Sequence, residues 1–250
     1  MNNIMRIELY KFYKKKYFLS LCLLACLPLL FSLGAYFKWE GIRVPAKLDL
    51  ITFVTSMWDF MLVVILPLIL LLMIVSTSVS GEIAEGQILL LLSRVADKKK
   101  IIYGKFLACA LSLLGFYLVT GLVSFLSYAF LLSKTSNGYE DVFLTHSYNG
   151  QSLLFSLSGF FFTLFLMAIA FYVSVNQSVL VATLSGFIGY YICKFFTSLS
   201  LIGAFVPGYF NLVSDYSYTN ERLLYQYAIQ LFLTPFLVFL AAKRFEKKDY

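Results

Sequence analysis

Hydrophobic positions in this chain fall into long unbroken runs, with neither the two-residue alternation of a half-buried strand nor the stripe of a soluble helix. A helix needs about 20 apolar residues to cross the hydrocarbon of a bilayer. Six runs meet that length, at residues 17–37, 57–79, 101–132, 152–175, 178–202 and 223–242. The pattern predicts an all-α membrane protein with six transmembrane helices, forming a single domain over residues 1–250. The third run is long enough to tilt or to reach beyond the bilayer. Only Val175-Asn176-Gln177 separates the fourth run from the fifth, so these two are predicted to be antiparallel neighbours. Pro28, Pro67 and Pro235 each interrupt a run and permit bending. Ahead of the first run, Met5, Leu9, Phe12 and Tyr13 recur at i, i+4, i+7 and i+8. That spacing predicts an N-terminal interfacial amphipathic helix, with Lys11, Lys14, Lys15 and Lys16 beside the lipid headgroups.

Composition sharpens the class. Apolar residues make up 60% of the chain and charged residues 13%, against about 45–50% and about 25% in an ordinary soluble domain. With a mean hydropathy of +0.83, more apolar surface exists than one soluble core could hide. Disordered, collagenous and disulfide-scaffold classes are excluded on the same ground. Cys22, Cys26, Cys109 and Cys193 lie within apolar runs and read as small buried hydrophobes.

The net charge of +7 would point to nucleic acid in a soluble chain. Here the basic residues gather between spans instead. Arg6, Lys11 and Lys14–Lys16 precede span one, Arg94, Lys98–Lys100 and Lys105 lie around the loop before span three, and Lys243, Arg244, Lys247 and Lys248 follow span six. The opposite loops hold only Lys38, Arg43, Lys47, Lys134 and Arg222. The positive-inside rule then predicts a multi-pass protein of the cytoplasmic membrane with both termini in the cytoplasm, and no nucleic-acid partner. The first 16 residues are too basic, and no small-residue site follows, for a cleaved signal peptide.

Catalytic and metal chemistry finds few residues to use. His146 is the single histidine, so no H-E-x-x-H pair can form, and no G-x-S-x-G elbow or G-x-x-x-x-G-K-[ST] loop occurs. We therefore expect no catalytic residues, no metal site and no cofactor on this chain. Asp59 and Lys194 are the ionisable candidates inside spans. Asp59, two residues into the second run, is expected near its outer end. Lys194 is expected to snorkel to the outer surface.

The most informative segment runs from Gly81 through Glu82, Glu85, Gly86, Gln87, the apolar stretch 88–92 and Arg94 into Lys98–Lys100. Glu82 and Glu85, at i and i+3, are expected to share one face near the start of a helix, where the dipole favours negative charge. A linker lying along the inner leaflet is the plainer alternative. At these residues the chain resembles the permease subunits of ABC-2 type ATP-binding-cassette exporters. Their loop between spans two and three reads E-x-x-x-G-x-x-x-x-L-L-S-x-P-x-x-R, with a lysine ahead of span three. Glu82, Glu85-Gly86, Leu91-Leu92-Ser93 and Lys105 match; the proline is missing, and Lys98–Lys100 stand where the arginine would be. The tail Arg244-Phe245-Glu246-Lys247-Lys248-Asp249 is similar to endings common in these permeases.

The resemblance implies a cytoplasmic coupling helix, with Gly81, Glu82, Glu85, Gly86, Gln87, Leu91, Leu92 and Arg94 contacting a separate cytosolic ABC ATPase that holds ATP and Mg. It also implies a second permease copy or paralogue, with a translocation path between the two. Gln226, Gln230 and Thr234, at i, i+4 and i+8 in span six, are candidates to line that path, although interhelical hydrogen bonding would explain them equally well. The small-residue stripes Ser152-Ser156-Gly159-Thr163 and Ser185-Gly189-Cys193 suit close packing. The aromatic outer segment 203–222 is expected either to dip back as a helical hairpin or to form an open loop. Spans this poor in charge suit an amphipathic peptide or lipid-like substrate, and the resemblance implies toxin export or self-protection against antimicrobial peptides. A drug, a lipid-linked polysaccharide, sodium, or a non-transporting immunity role are the alternatives.

Overall fold

A computed structural model describes residues 2–42, 47–93, 95, 97–144, 146, 148–199, 202–213 and 218–248. Among the described residues there is no strand, only an isolated bridge between Leu48 and Gly138. Six helical stretches are long and apolar enough to cross a membrane, at 17–36, 66–84, 98–134, 149–174, 179–197 and 220–246. The chain is an all-α, multi-pass membrane protein.

Helix α1 (Asn2–Lys14) precedes span one, which is two helices, α2 (Tyr17–Leu24) and α3 (Leu27–Tyr36), with Pro28 in the first turn of the second. The second predicted run is corrected more strongly. Its apolar stretch begins at Leu50, not Met57, and contains α4 (Leu50–Val63) and α5 (Leu66–Ser76). The break has a proline cause. Pro67 has no N–H to offer the Val63 carbonyl, and the Leu66 N–H bonds Val64 at 2.6 Å, so the Leu62 carbonyl loses its helical partner as well. Ile65 carries the turn at φ 64°, an uncommon conformation for a β-branched residue. Asp49 caps α4 by accepting from the Thr52 N–H at 3.2 Å.

Span two continues through a wide π-turn (Thr77–Gly81) into the single turn α6 (Glu82–Ala84) and stops at Gly86. Gly86 has φ +71°, a conformation that glycine adopts without a Cβ penalty, and it redirects the chain into α7 (Gln87–Leu92). Helix α8 (Lys98–Phe130) is capped by the Asp97 carboxylate. Helices α9 (Asn149–Ser174) and α10 (Val179–Thr197) are the antiparallel neighbours that their short turn requires. A Cβ on Gly186 would come within 2.6 Å of Leu72, so it is this glycine that lets α10 close on α5. The short α11 (Tyr209–Leu212) precedes α12 (Asn220–Glu246), which runs through Pro235 without breaking.

One apolar core joins α5, α8, α9 and α12 through Leu72, Ile102, Phe162, Phe171 and Phe245, and it takes in Ile4 and Phe12 of α1. Helix α1 is thus part of the bundle. Its inward line is Ile4, Glu8 and Phe12, while Tyr13 stays 68% exposed, so the expected face is rotated. Cys109 and Cys193 are buried as expected, but Cys22 and Cys26 point outward from span one.

Candidate functional site

One end of the bundle gathers most of the basic residues. The start of α8 and the end of α12 meet there, with Lys99 paired to Glu246 at 3.1 Å and Lys98 donating to the Lys248 carbonyl at 3.0 Å. Lys248 reaches the Val175 carbonyl at the α9–α10 turn, and Arg244 lies 4.4 Å above the Tyr172 ring.

Inside this end, four charges from three segments form a closed cluster. Lys105, on the second turn of α8, has no exposed surface. Its ammonium donates to Glu82 Oε2 at 2.7 Å, to Glu8 Oε1 at 2.9 Å and to the Ser78 carbonyl at 2.7 Å, which uses all three of its protons. Ser78 lies in the π-turn, where the widened ladder leaves its carbonyl turned toward α8. Lys11 donates to Glu82 Oε1 at 2.6 Å and to Glu8 Oε1 at 3.1 Å. Glu82 thereby spans two lysines with separate oxygens. The cluster is electrically neutral, which is how four charges can share one buried place. Burial opposes the charge on Lys11, but the hydrogen bonds and negative charges of Glu82 and Glu8 outweigh it and hold its pKa above the ordinary lysine value.

This geometry corrects two expectations. Glu82 is 2% exposed and is not available to a docking partner. It ends span two instead of starting a new helix, so it points inward while Glu85, past the π-turn, is exposed and bonded to Gln87 at 2.6 Å. Lys11 likewise turns from the expected headgroup position into the bundle, drawn by two carboxylates. Lys14, Lys15 and Lys16 remain exposed, with Lys14 over the Tyr10 ring at 5.6 Å.

The segment after Gly86 is two-faced. Ile88 is fully buried, and Leu91 and Leu92 pack partly against the core, so this pair does not supply an outer docking surface. Leu89 and Leu90 stand 50% and 66% exposed, beside exposed Gln87 and Glu85. Gly81 is half-buried beside Val179, and Gly86 has open space where a side chain would be. Arg94 lies outside the described residues. Sequence reasoning passed over Glu8, the acidic partner that pulls α1 inward, and over Leu89 and Leu90. An acidic residue at i−3 from Lys11 on an otherwise basic helix was the available signal for Glu8.

The candidate path residues separate. Gln226 is fully buried and committed to the segment 203–213: its carbonyl oxygen accepts from the Gly208 N–H at 3.2 Å, and its amide donates to the carbonyls of Ala204 at 2.7 Å and Val206 at 2.9 Å. It anchors a loop and leaves nothing for a substrate. Gln230 is also buried, with no partner on its amide nitrogen or oxygen among the described residues, and Thr234 borders a small apolar recess between α8 and α12. The segment 203–213 dips into the bundle. Gly208, at φ +88°, sits where a Cβ would strike the Phe162 ring, and Phe210 stacks on Phe155 at 5.0 Å. Asn211 then donates to Asp59 Oδ1 at 2.8 Å and to the Phe155 carbonyl at 3.2 Å.

Asp59 is deeper than its sequence position implied. Its neighbour Trp58 packs on Tyr117 at 4.7 Å and Phe116 at 5.9 Å, midway along α8. Phe116 is about 16 Å along the helix from Lys105 at about 1.5 Å per residue. Lys194 is exposed near the end of α10. His146 stacks on Tyr148 at 5.1 Å and lies near Tyr139, an aromatic setting in which no nucleophile bonds it among the described residues. Among the described residues, no three metal-ligating side chains come together. No protein-family model and no curated protein matches this chain.

Proposed function

We propose that the chain is the permease subunit of an ATP-driven exporter of the ABC-2 type, with its basic end and both termini in the cytoplasm. The observation that carries this reading is the two-faced helix α7. It is held to the bundle by Ile88 and presents Leu89 and Leu90, with Gln87 and Glu85, away from it. Two exposed leucines on a short helix between two membrane spans are a natural docking element for a separate cytosolic ATPase with bound ATP and Mg. The buried charge cluster gives this helix a stiff root, because Glu82 lies four residues ahead of Gly86 and is tied to both α1 and α8.

In this account a second copy of the chain, or a paralogue, completes the translocation path. Closure of the ATPase pair favours one permease state through its differential contact with α7. The substrate class that suits so apolar a bundle is an amphipathic peptide or lipid-like molecule. The test is affinity purification through a tag on this chain from its native membranes. An ATPase subunit should co-purify, and Leu89→Asp together with Leu90→Asp should abolish its recovery while membrane insertion persists. Recovery of the chain alone, or unchanged recovery with the double substitution, contradicts the assignment.

A further inference from the structure

One line of residues along the otherwise apolar α4 is polar. Thr52, Ser56 and Asp59 recur at i, i+4 and i+7, and all three are half-buried at the edge of the bundle. Below them, Phe60 is 36% and Val63 65% exposed, and the helix ends at the proline break where the Leu62 and Val63 carbonyls have lost their helical partners. Asp59 is the charged member, at mid-depth of the bundle. Its hydrogen bond comes from Asn211, an amide that brings no positive charge, and no ion pair reaches it among the described residues. Contrast the basic end, where the two carboxylates of the charge cluster have two lysines. A carboxylate at this depth is costly and calls for a counter-charge.

We propose that Asp59, positioned by Asn211, is a binding site for the ammonium group of an otherwise apolar molecule. Several features select that class. Asp59 is only half-buried and its neighbour Phe60 is exposed, so a ligand reaches the carboxylate along an apolar edge of α4. The flanking Phe60 and Val63 offer apolar contact to the body of such a molecule, as amphipathic ligands require. A bare metal cation is poorly served, since it needs about six oxygens and one carboxylate with a neighbouring hydroxyl supplies too few. An ammonium, with or without N–H groups, needs a single opposite charge, which Asp59 supplies. Asn211 acts as a positioning residue: its amide donates to Asp59 Oδ1 and to the Phe155 carbonyl together, fixing the carboxylate rotamer.

The site stands apart from the ATPase reading, and its test uses no ATPase. The full chain is placed in nanodiscs of zwitterionic lipid, and binding of dodecyltrimethylammonium is compared with that of the neutral dodecyl maltoside. The wild-type chain should bind the cation saturably. Asp59→Asn should weaken that binding about tenfold or more and Asp59→Glu should retain most of it, with the neutral amphiphile unchanged throughout. Equal binding to wild type and Asp59→Asn, or no preference for the cation, overturns the proposal. Should Asp59→Asn fail to fold, carbodiimide labelling of Asp59 in the wild-type chain decides. The cation should protect the carboxyl from modification, and equal labelling with and without it overturns the site.

Discussion

At the residue scale, Lys105 is the position on which the basic end depends. An ammonium without exposed surface survives because three acceptors meet it, one from α1 and two from the end of span two. Removing it leaves Glu8 and Glu82 buried with only Lys11 to balance them. Lys105→Met should therefore lower stability by about 3–5 kcal/mol, the usual cost of breaking a buried pair from one side. Replacing Glu8, Lys11, Glu82 and Lys105 together by methionine should recover most of that loss, since apolar groups of similar volume need no partners. Thermal midpoints in detergent check both outcomes. An additive loss across the four sites would contradict the closed cluster.

The cluster also has a pH signature, read through Lys11. Its folded pKa lies above the ordinary value of 10.5. Its contribution is then complete below that value and is lost as pH rises through the higher folded value. The thermal midpoint should stay level through neutrality and fall in strongly alkaline buffer, and Lys11→Met should flatten that alkaline limb. Asp49 works in the opposite direction. Burial pushes its pKa up, but the Thr52 hydrogen bonds win and hold it below its ordinary 3.8. Its contribution is present above that value and lost as pH falls, so Asp49→Asn should blunt the acid limb instead.

At the scale of elements, Gln226 binds the segment 203–213 to α12 through three hydrogen bonds. Gln226→Leu keeps the volume but leaves a buried N–H and two carbonyls unmatched, at about 1–3 kcal/mol each when truly orphaned. The segment 203–213 should then become sensitive to externally added protease in sealed vesicles, while the wild type resists. Equal resistance would mean that Phe210 and Asn211 hold the segment unaided.

The same scale shows what the sequence alone could and could not reveal. Six apolar runs and the short turn before α10 were readable because length and hydrophobicity decide them. The break at Val64–Ile65 was not, although Pro67 permitted it, because the apolar pattern runs straight through and the start of α4 is masked by polar Thr52, Thr55 and Ser56. Glu82 and Glu85 have the spacing of partners on one face of an uninterrupted helix. The π-turn and Gly86 lie on either side of them, and neither leaves a mark in hydropathy. Gln226, Gln230 and Thr234 had the spacing of a stripe, but spacing cannot say whether a stripe faces a path or a folded-back loop. The depth of Asp59 came from packing of Trp58 on the middle of α8, a contact between distant residues that no local pattern encodes.

For the whole molecule, the two ends divide the work. The basic end is stiffened by charge, with α1, span two and span three tied at Lys105 and the C-terminal tail tied to α8 and the α9–α10 turn. The opposite end is held by aromatic stacking and by a folded-back segment that reaches the middle of the bundle. In the proposed exporter, a push on α7 reaches α1 and α8 together through Glu82. Lys105→Met combined with Glu82→Gln should then reduce stimulation of the partner ATPase by at least about tenfold, even where the ATPase still binds. ATPase rates with and without an amphipathic peptide measure this, and full stimulation in that variant would show that the cluster carries no load.

The most direct test is transport itself. Proteoliposomes are prepared with this chain alone and with this chain plus its co-purifying ATPase, both loaded with ATP and a fluorescent amphipathic peptide. The account predicts movement against the peptide gradient only when both subunits and hydrolysable ATP are present, and loss of that movement with Leu89→Asp and Leu90→Asp. Uphill movement by this chain alone, or ATP-driven movement that survives the double substitution, would contradict it.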